Sequence, residues 1–326
     1  MTGLLWNLLV GPDAQSLVPA PFGNAEVDGL PQLIMRFFAW TAVWVLLWYI
    51  LSCTQPLWGS VVAPSEKPHE NDRYWMVRNL IGVIHAFFVA AIAIPALLAL
   101  SRAPDDVRFA ASSHLETCAM DPDFYPGENW GMHIEAVALA GLAFTAFTTA
   151  DVVLSMLHGL ATVDYMVHHA AFILAGLLLR GNCMLPWKGS VQLAMEASTP
   201  FLNIMLFYQN RGAVYRLLVI LCGTVFVASY VYFRLIQNTY ATALLWLRGN
   251  TAFPSGMPRW EMWLAIVACT AGAAVQFFWF PAIVRTLFKA TLSRIDKREA
   301  YNEHFMTQGH GNQFTSLVNQ RHHVVA

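Results

Sequence analysis

Several polar side chains sit where this sequence is otherwise apolar: His85, Asp151, His168, His169, Glu196, Asn203 and Arg234, with Arg78 and His158 at the edges of apolar runs. An ionised group at hydrocarbon depth costs about 2.5–3.5 kcal/mol on insertion scales, so such residues are functional candidates by default. Left unpaired, Asp151, Glu196 and Arg234 alone would cost about 8–10 kcal/mol. They lie on different segments, so convergence in a bundle interior is the economical arrangement. The densest stretch is residues 164–203, DYMVHHAAFILAGLLLRGNCMLPWKGSVQLAMEASTPFLN. Its paired histidines open one apolar run, a Gly/Pro/Lys break follows, and a second run carries Glu196, Ser198, Pro200 and Asn203.

Three chemistries can use such a set. A histidine oriented by Asp151 or Glu196 can act as general base or nucleophile toward an acyl group, and an imidazole titrating near neutrality suits proton transfer. A metal site is expected to be absent, because a lone His-His pair falls short of the many spaced histidines that membrane di-iron enzymes use. The third use is interhelical hydrogen bonding with no chemistry. Adjacent His168 and His169 point about 100° apart on a helix, so at least one can be purely structural. Glu196, Thr199, Pro200 and Asn203 follow i, i+3, i+4, i+7 and share a helix face. Pro200 is expected to free a carbonyl near Glu196 as an extra acceptor.

The elements that must position these groups are membrane helices. Of 326 residues, 57% are hydrophobic and 12% charged, against about 25% charged in a soluble domain; the mean hydropathy is +0.47. The expected fold is an all-α polytopic bundle of about seven transmembrane helices. A net charge of −1 and no basic block argue against nucleic acid as a partner. Cys53, Cys118, Cys183, Cys222 and Cys269 show no CxxC spacing and read as small core residues.

Residues 1–32 read as an interfacial segment without the basic start of a signal peptide, residues 33–290 as the membrane domain, and 291–326 as a polar tail. The expected spans are 33–52, 77–100, 133–157, 165–179, 190–208, 214–237 and 260–288. The fourth is short for a 30 Å hydrocarbon core, which wants about 20 residues. A linker with an amphipathic stretch, 239–247, and a break at Pro254, Gly256 and Pro258 precede the last span. Arg78 and His85, seven apart, share a face, as do Asp151 and His158. No internal repeat is visible, which with the lack of paired broken helices disfavours a transporter.

In order, RNLIGVIHAFF (78–88), GLAFTAFTTADVVL (141–154), DYMVHHAAF (164–172), AMEASTPFLN (194–203) and VYFRL (231–235) resemble segments of the TLC-domain family, membrane proteins that include ceramide synthases and non-synthase branches. The resemblance runs from about Arg73 to Lys289. It implies a bundle of six or seven helices around a cavity for a long lipid chain. In ceramide synthases the paired histidines serve acyl transfer from acyl-CoA to a sphingoid amine, which implies that role for His168 and His169. Asp151 and Glu196 would then orient or charge-balance them, and Arg78 or Arg234 would lie near the donor head group. His85, Ser198 and Asn203 join Arg78 and Arg234 as lipid-binding candidates. Ceramide synthases carry aspartates where this chain reads Met195–Glu196–Ala197–Ser198, and no homeobox-like insert is present. The resemblance is therefore closest to the non-synthase branch, implicated in membrane lipid composition and trafficking. No cofactor is implied beyond acyl-CoA as a co-substrate, and the partners implied are membrane lipids. The membrane implied is the endoplasmic reticulum. A reading of another class is a structural accessory subunit of a larger assembly, for instance in the mitochondrial inner membrane, whose other subunits hold the termini.

Basic residues near span ends set orientation. Arg73, Arg78, Arg211, Arg216, Arg285, Lys289, Arg294, Lys297 and Arg298 fall on one side, so the C-terminus is expected to be cytosolic (or in the matrix, in a mitochondrion) and the N-terminus lumenal or otherwise non-cytosolic. A C-terminal epitope should be digested by protease added to sealed microsomes; protection would reverse the orientation.

Overall fold

In a bilayer core no water is available to backbone N–H and C=O groups, so apolar runs of this length become helices. The computed structural model describes residues 30–109, 130–181, 185–253, 259–260 and 262–285, and no strand occurs among them. The helices are α1 (Leu30–Gly59), α2 (Arg73–Leu100), the short α3 (Asp105–Phe109), α4 (Trp130–Leu157), α5 (Val163–Gly181), α6 (Pro186–Ala194), α7 (Thr199–Tyr208), α8 (Arg216–Ser229) and α9 (Asn238–Arg248), then α10 (Met262–Arg285). A 3₁₀ turn, Met195–Ser198, joins α6 to α7, and a π-helical segment, Tyr230–Gln237, joins α8 to α9.

Five runs are long and apolar enough to cross a membrane: Ile34–Gly59, Arg73–Leu100, Trp130–Leu157, Ala213–Arg248 and Met262–Arg285. The other two expected spans differ. α5 has a shorter apolar part, Tyr165–Gly176, and α6–α7 is interrupted by its 3₁₀ turn. Residues 239–247, expected as an amphipathic linker, instead continue the sixth run as α9, with Ala241 and Leu245 fully buried. The helices up to Gln276 form one compact unit, to which the packing below belongs; of the second, residues 277–285 are described, as the end of α10. The expected interfacial segment lies almost wholly, and the polar tail entirely, outside the described residues.

α2 is the central helix, packing against α1, α4, α6, α7 and the 3₁₀ turn. Asp72 caps it, accepting from the backbone N–H groups of Tyr74 and Trp75 at 2.8 and 3.1 Å. Gly82, Ala86 and Ala90 repeat every four residues along a buried face, and such small residues let helix backbones approach. A Cβ at Gly82 would stand 2.5 Å from Asn203 Nδ2, so the Asn203 amide of α7 rests directly on the α2 backbone. One core cluster, with Trp44, Trp48, Ile81, Phe147 and Leu154, joins α1, α2 and α4. A larger one joins the other half of α2 to α3, α4, α6, α9 and α10.

Two charged positions differ from their expected surface roles. Lys188, placed by sequence in a loop, is fully buried in α6. Its ammonium donates to the Asn238 carbonyl (3.3 Å), Asn238 Oδ1 (2.6 Å) and Thr242 Oγ1 (2.9 Å), so it adds nothing to loop charge on that side. Arg211 ties the loop after α7 to the loop before α2, donating to the carbonyls of Phe207, Ala63 and Glu70 and to Asn71 Oδ1. Buried Glu70 completes this latch, accepting from Ser65 Oγ (2.6 Å) and Asn210 Nδ2 (2.8 Å). Among the cysteines, Cys222 and Cys269 are buried as expected, Cys53 is exposed, and Cys118 and Cys183 lie outside the described residues.

Gly82→Leu should force Asn203 off α2 and lower the stability of the detergent-solubilised protein by about 1–3 kcal/mol, the usual cost of overpacking. Thermal melts of Gly82→Ala and Gly82→Leu test this: the larger side chain must melt lower, and equal melting at the native temperature would refute the contact.

Candidate functional site

Asp151 lies six residues before the end of α4, buried at 7% exposure. Three helices bring donors to it. Arg78, in the second turn of α2, places Nε 3.5 Å from Oδ1. Tyr165, at the start of α5, donates its hydroxyl to Oδ2 at 2.5 Å. One turn on, His169 places Nε2 3.4 Å from Oδ2. Ser155, one turn after Asp151 on α4, donates to Oδ1 at 3.3 Å. The carboxylate is thereby surrounded on both oxygens.

The partners also bind one another. The Arg78 guanidinium lies over the Tyr165 ring, 4.3 Å from its centroid, and Nη1 reaches the Leu160 carbonyl at 3.5 Å. The Tyr165 and His169 rings are 3.8 Å apart. His169 Nδ1 is 3.0 Å from the Tyr165 carbonyl oxygen, which can only accept. Each ring nitrogen of His169 therefore faces an acceptor, a carbonyl on one side and a carboxylate on the other.

His168 sits differently. Its ring meets His169 and Phe172 edge-on, at 5.5 and 4.5 Å between centroids. His85 is buried, stacked on Phe147 at 3.7 Å and edged by Trp44 at 5.5 Å. Its Nε2 has no hydrogen-bond partner among the described residues, although Asp151 and His169 are within electrostatic range. His158 follows α4 and stacks on Tyr74 at 3.7 Å.

The remaining candidates form a second group. Arg234, on the π segment, donates from Nε to Ser198 Oγ (2.9 Å) and from Nη2 to Thr199 Oγ1 (3.0 Å) and Glu196 Oε1 (3.4 Å). Thus Glu196 pairs with Arg234, whereas Asp151 is the carboxylate beside His169. The carbonyl of Glu196, expected to be freed by Pro200, instead accepts the Thr199 N–H, because the 3₁₀ turn tightens the chain before the proline. Asn203 belongs to the α2–α7 contact described above. Tyr165 and Ser155, both partners of Asp151, were not among the sequence candidates; the signal available was Tyr165 four residues before His169 and Ser155 four after Asp151.

Among the described residues no group of three or more His, Cys, Asp or Glu is gathered as a metal site would be. The first group can hold a polar head group at Arg78, whose side chain is 26% exposed against 8% for Asp151. It can also pair a carboxylate with an imidazole, the arrangement in which a histidine is oriented for proton transfer.

A family model for the TLC domain matches residues 31–285. Curated proteins give no significant match.

Removing Asp151 strands the four groups that face it, Arg78 among them. Asp151→Ala should cost about 3–5 kcal/mol, the usual effect of breaking one side of a buried pair. Adding Arg78→Gln should cost less than the sum of the single changes, because the stranded cation is then gone. A double-mutant cycle by thermal melting checks this, and strict additivity would rule out the pairing.

Proposed function

The chain belongs to the TLC-domain family, and from that premise we propose that it binds a membrane lipid and acts in setting membrane lipid composition. Membership puts it among integral membrane proteins of lipid metabolism or its regulation. The specific reading is that the head group of a lipid docks at Arg78, beside the Asp151–His169 pair, and the chain lies along the apolar helices. The observation that carries it is the saturation of this network. Asp151 has donors on both oxygens, and His169 has acceptors on both nitrogens. Arg78 is the member left partly open, and it lies about five residues inside α2. At 1.5 Å per residue that is about 7.5 Å from the helix start, close to where head groups give way to acyl chains. The non-synthase resemblance and the endoplasmic reticulum as host membrane fit the same reading.

A second reading is acyl transfer from acyl-CoA to a lipid amine. The Asp151–His169 contact at 3.4 Å favours it. The amine nitrogen would attack the thioester carbonyl to form the amide C–N bond as the C–S bond breaks; a histidine would take the amine proton and pass it to the departing sulfur, so that coenzyme A leaves as the thiol. Since both nitrogens of His169 face acceptors, that scheme assigns the accepting role to His168.

Expression of the full chain should change the cellular lipid profile, and Arg78→Gln should abolish the change. His168→Ala separates the two readings: a binder retains its effect, an acyltransferase loses it together with amide formation from acyl-CoA in reconstituted vesicles. A lipid profile that does not move on expression of the unaltered chain would sink both.

A further inference from the structure

We infer that the ligand held at the Arg78–Asp151–His169 network is anionic, the phosphate or carboxylate head of a membrane lipid. The inference rests on the lipid-binding reading and names the chemistry of its head group. It follows from how the two buried groups engage their guanidinium. In the second, Arg234 gives Nε to Ser198 and Nη2 to Thr199 and Glu196, and its side chain is 11% exposed. In the first, Arg78 gives Nε to Asp151, while its Nη1 makes only a long contact to a carbonyl.

The less engaged guanidinium is also the part that faces outward. Side-chain exposure is 26% for Arg78, 17% for His169 and 8% for Asp151. Asp151 has no oxygen to spare for a cationic head group, since Tyr165 and Ser155 occupy it from the remaining sides. An incoming ammonium would meet a saturated carboxylate behind the Arg78 guanidinium. An incoming phosphate or carboxylate would meet Arg78, whose Nη1 makes only a 3.5 Å contact to the Leu160 carbonyl and whose fork suits two-point binding of an oxyanion. Tyr165 is the positioning residue: it fixes Asp151 by its hydroxyl, Arg78 by its ring face and His169 by its carbonyl.

The full chain, purified in detergent, is incubated in turn with dioleoyl phosphatidic acid, oleate, dioleoylglycerol and inorganic phosphate; retention is read by native mass spectrometry and stability by thermal melting. Phosphatidic acid or oleate should be retained about tenfold more than dioleoylglycerol, the worth of roughly one charge-assisted hydrogen bond. Arg78→Gln should remove that preference and leave dioleoylglycerol retention as it was, and Arg78→Lys should restore part of it. Asp151→Asn, if folded, should strengthen anion retention, a direction that a purely structural network would not give. Stabilisation by inorganic phosphate equal to that by phosphatidic acid would identify a free anion as the source and uphold the anionic site. Equal retention of phosphatidic acid and dioleoylglycerol by the unaltered chain would overturn the inference and leave lipid binding standing. Retention of no lipid, with no phosphate effect, would overturn both.

Discussion

An ionised carboxylate inside a membrane domain has to be surrounded by donors, and at Asp151 this requirement fixes how three helices meet. Insertion costs of about 3 kcal/mol for such a group are offset only when donors reach both oxygens. Here they come from α2 (Arg78), α4 itself (Ser155) and α5 (Tyr165 and His169). The demand for close approach then falls on the backbones. Small residues at Gly82, Ala86 and Ala90 let α2 lie deep among its neighbours, and Gly176 of α5 meets Thr145 of α4, where an added Cβ would stand 2.2 Å from the Thr145 hydroxyl. Polar satisfaction and small-residue packing are thus one design: the first requires contact and the second permits it.

The irregular backbone follows the same logic. The 3₁₀ turn Met195–Ser198 and the π segment Tyr230–Gln237 pack against each other. Non-helical backbone at membrane depth persists where protein covers it. Arg234 bridges the two, and just beyond the π segment Lys188 and Thr242 both donate to the Asn238 carbonyl. A π segment disturbs the regular carbonyl ladder of its helix, and buried Lys188 supplies a donor from a neighbouring one. Its three neutral acceptors match the three hydrogens of an ammonium, so this lysine works as a clamp on helix geometry.

Much of the bundle was legible in the sequence because hydropathy reports burial in lipid directly. The long runs stand where expected, while their ends differ by one to three turns: α2 begins at Arg73 rather than 77, α1 runs on to Gly59 rather than 52, and the sixth run continues to Arg248 rather than 237, because polar residues at helix ends carry little hydropathy signal. The site was legible by residue type and less so by pairing. Asp151 and His169 were marked, but hydropathy does not say which carboxylate a histidine meets, and Glu196 proved to be Arg234's partner. Tyr165 was hidden because an aromatic residue near a span end reads as part of an interfacial belt. Lys188 was hidden because a lysine beside Pro186 and Gly189 reads as a loop. The Glu70–Arg211 latch joins segments far apart in sequence, and neither loop alone announces a partner.

The paired histidines illustrate how a motif can keep its residues while dividing its tasks. On one helix, adjacent positions differ by about 100°, so a single carboxylate and a single carbonyl can capture only one of the two rings. His169 is the captured one. Its ring nitrogens face the Asp151 carboxylate of α4 and the Tyr165 carbonyl of its own helix, and so help hold α5 to α4. His168 instead meets His169 and Phe172 edge-on, so the two rings of the pair are held by different neighbours and stand in different surroundings.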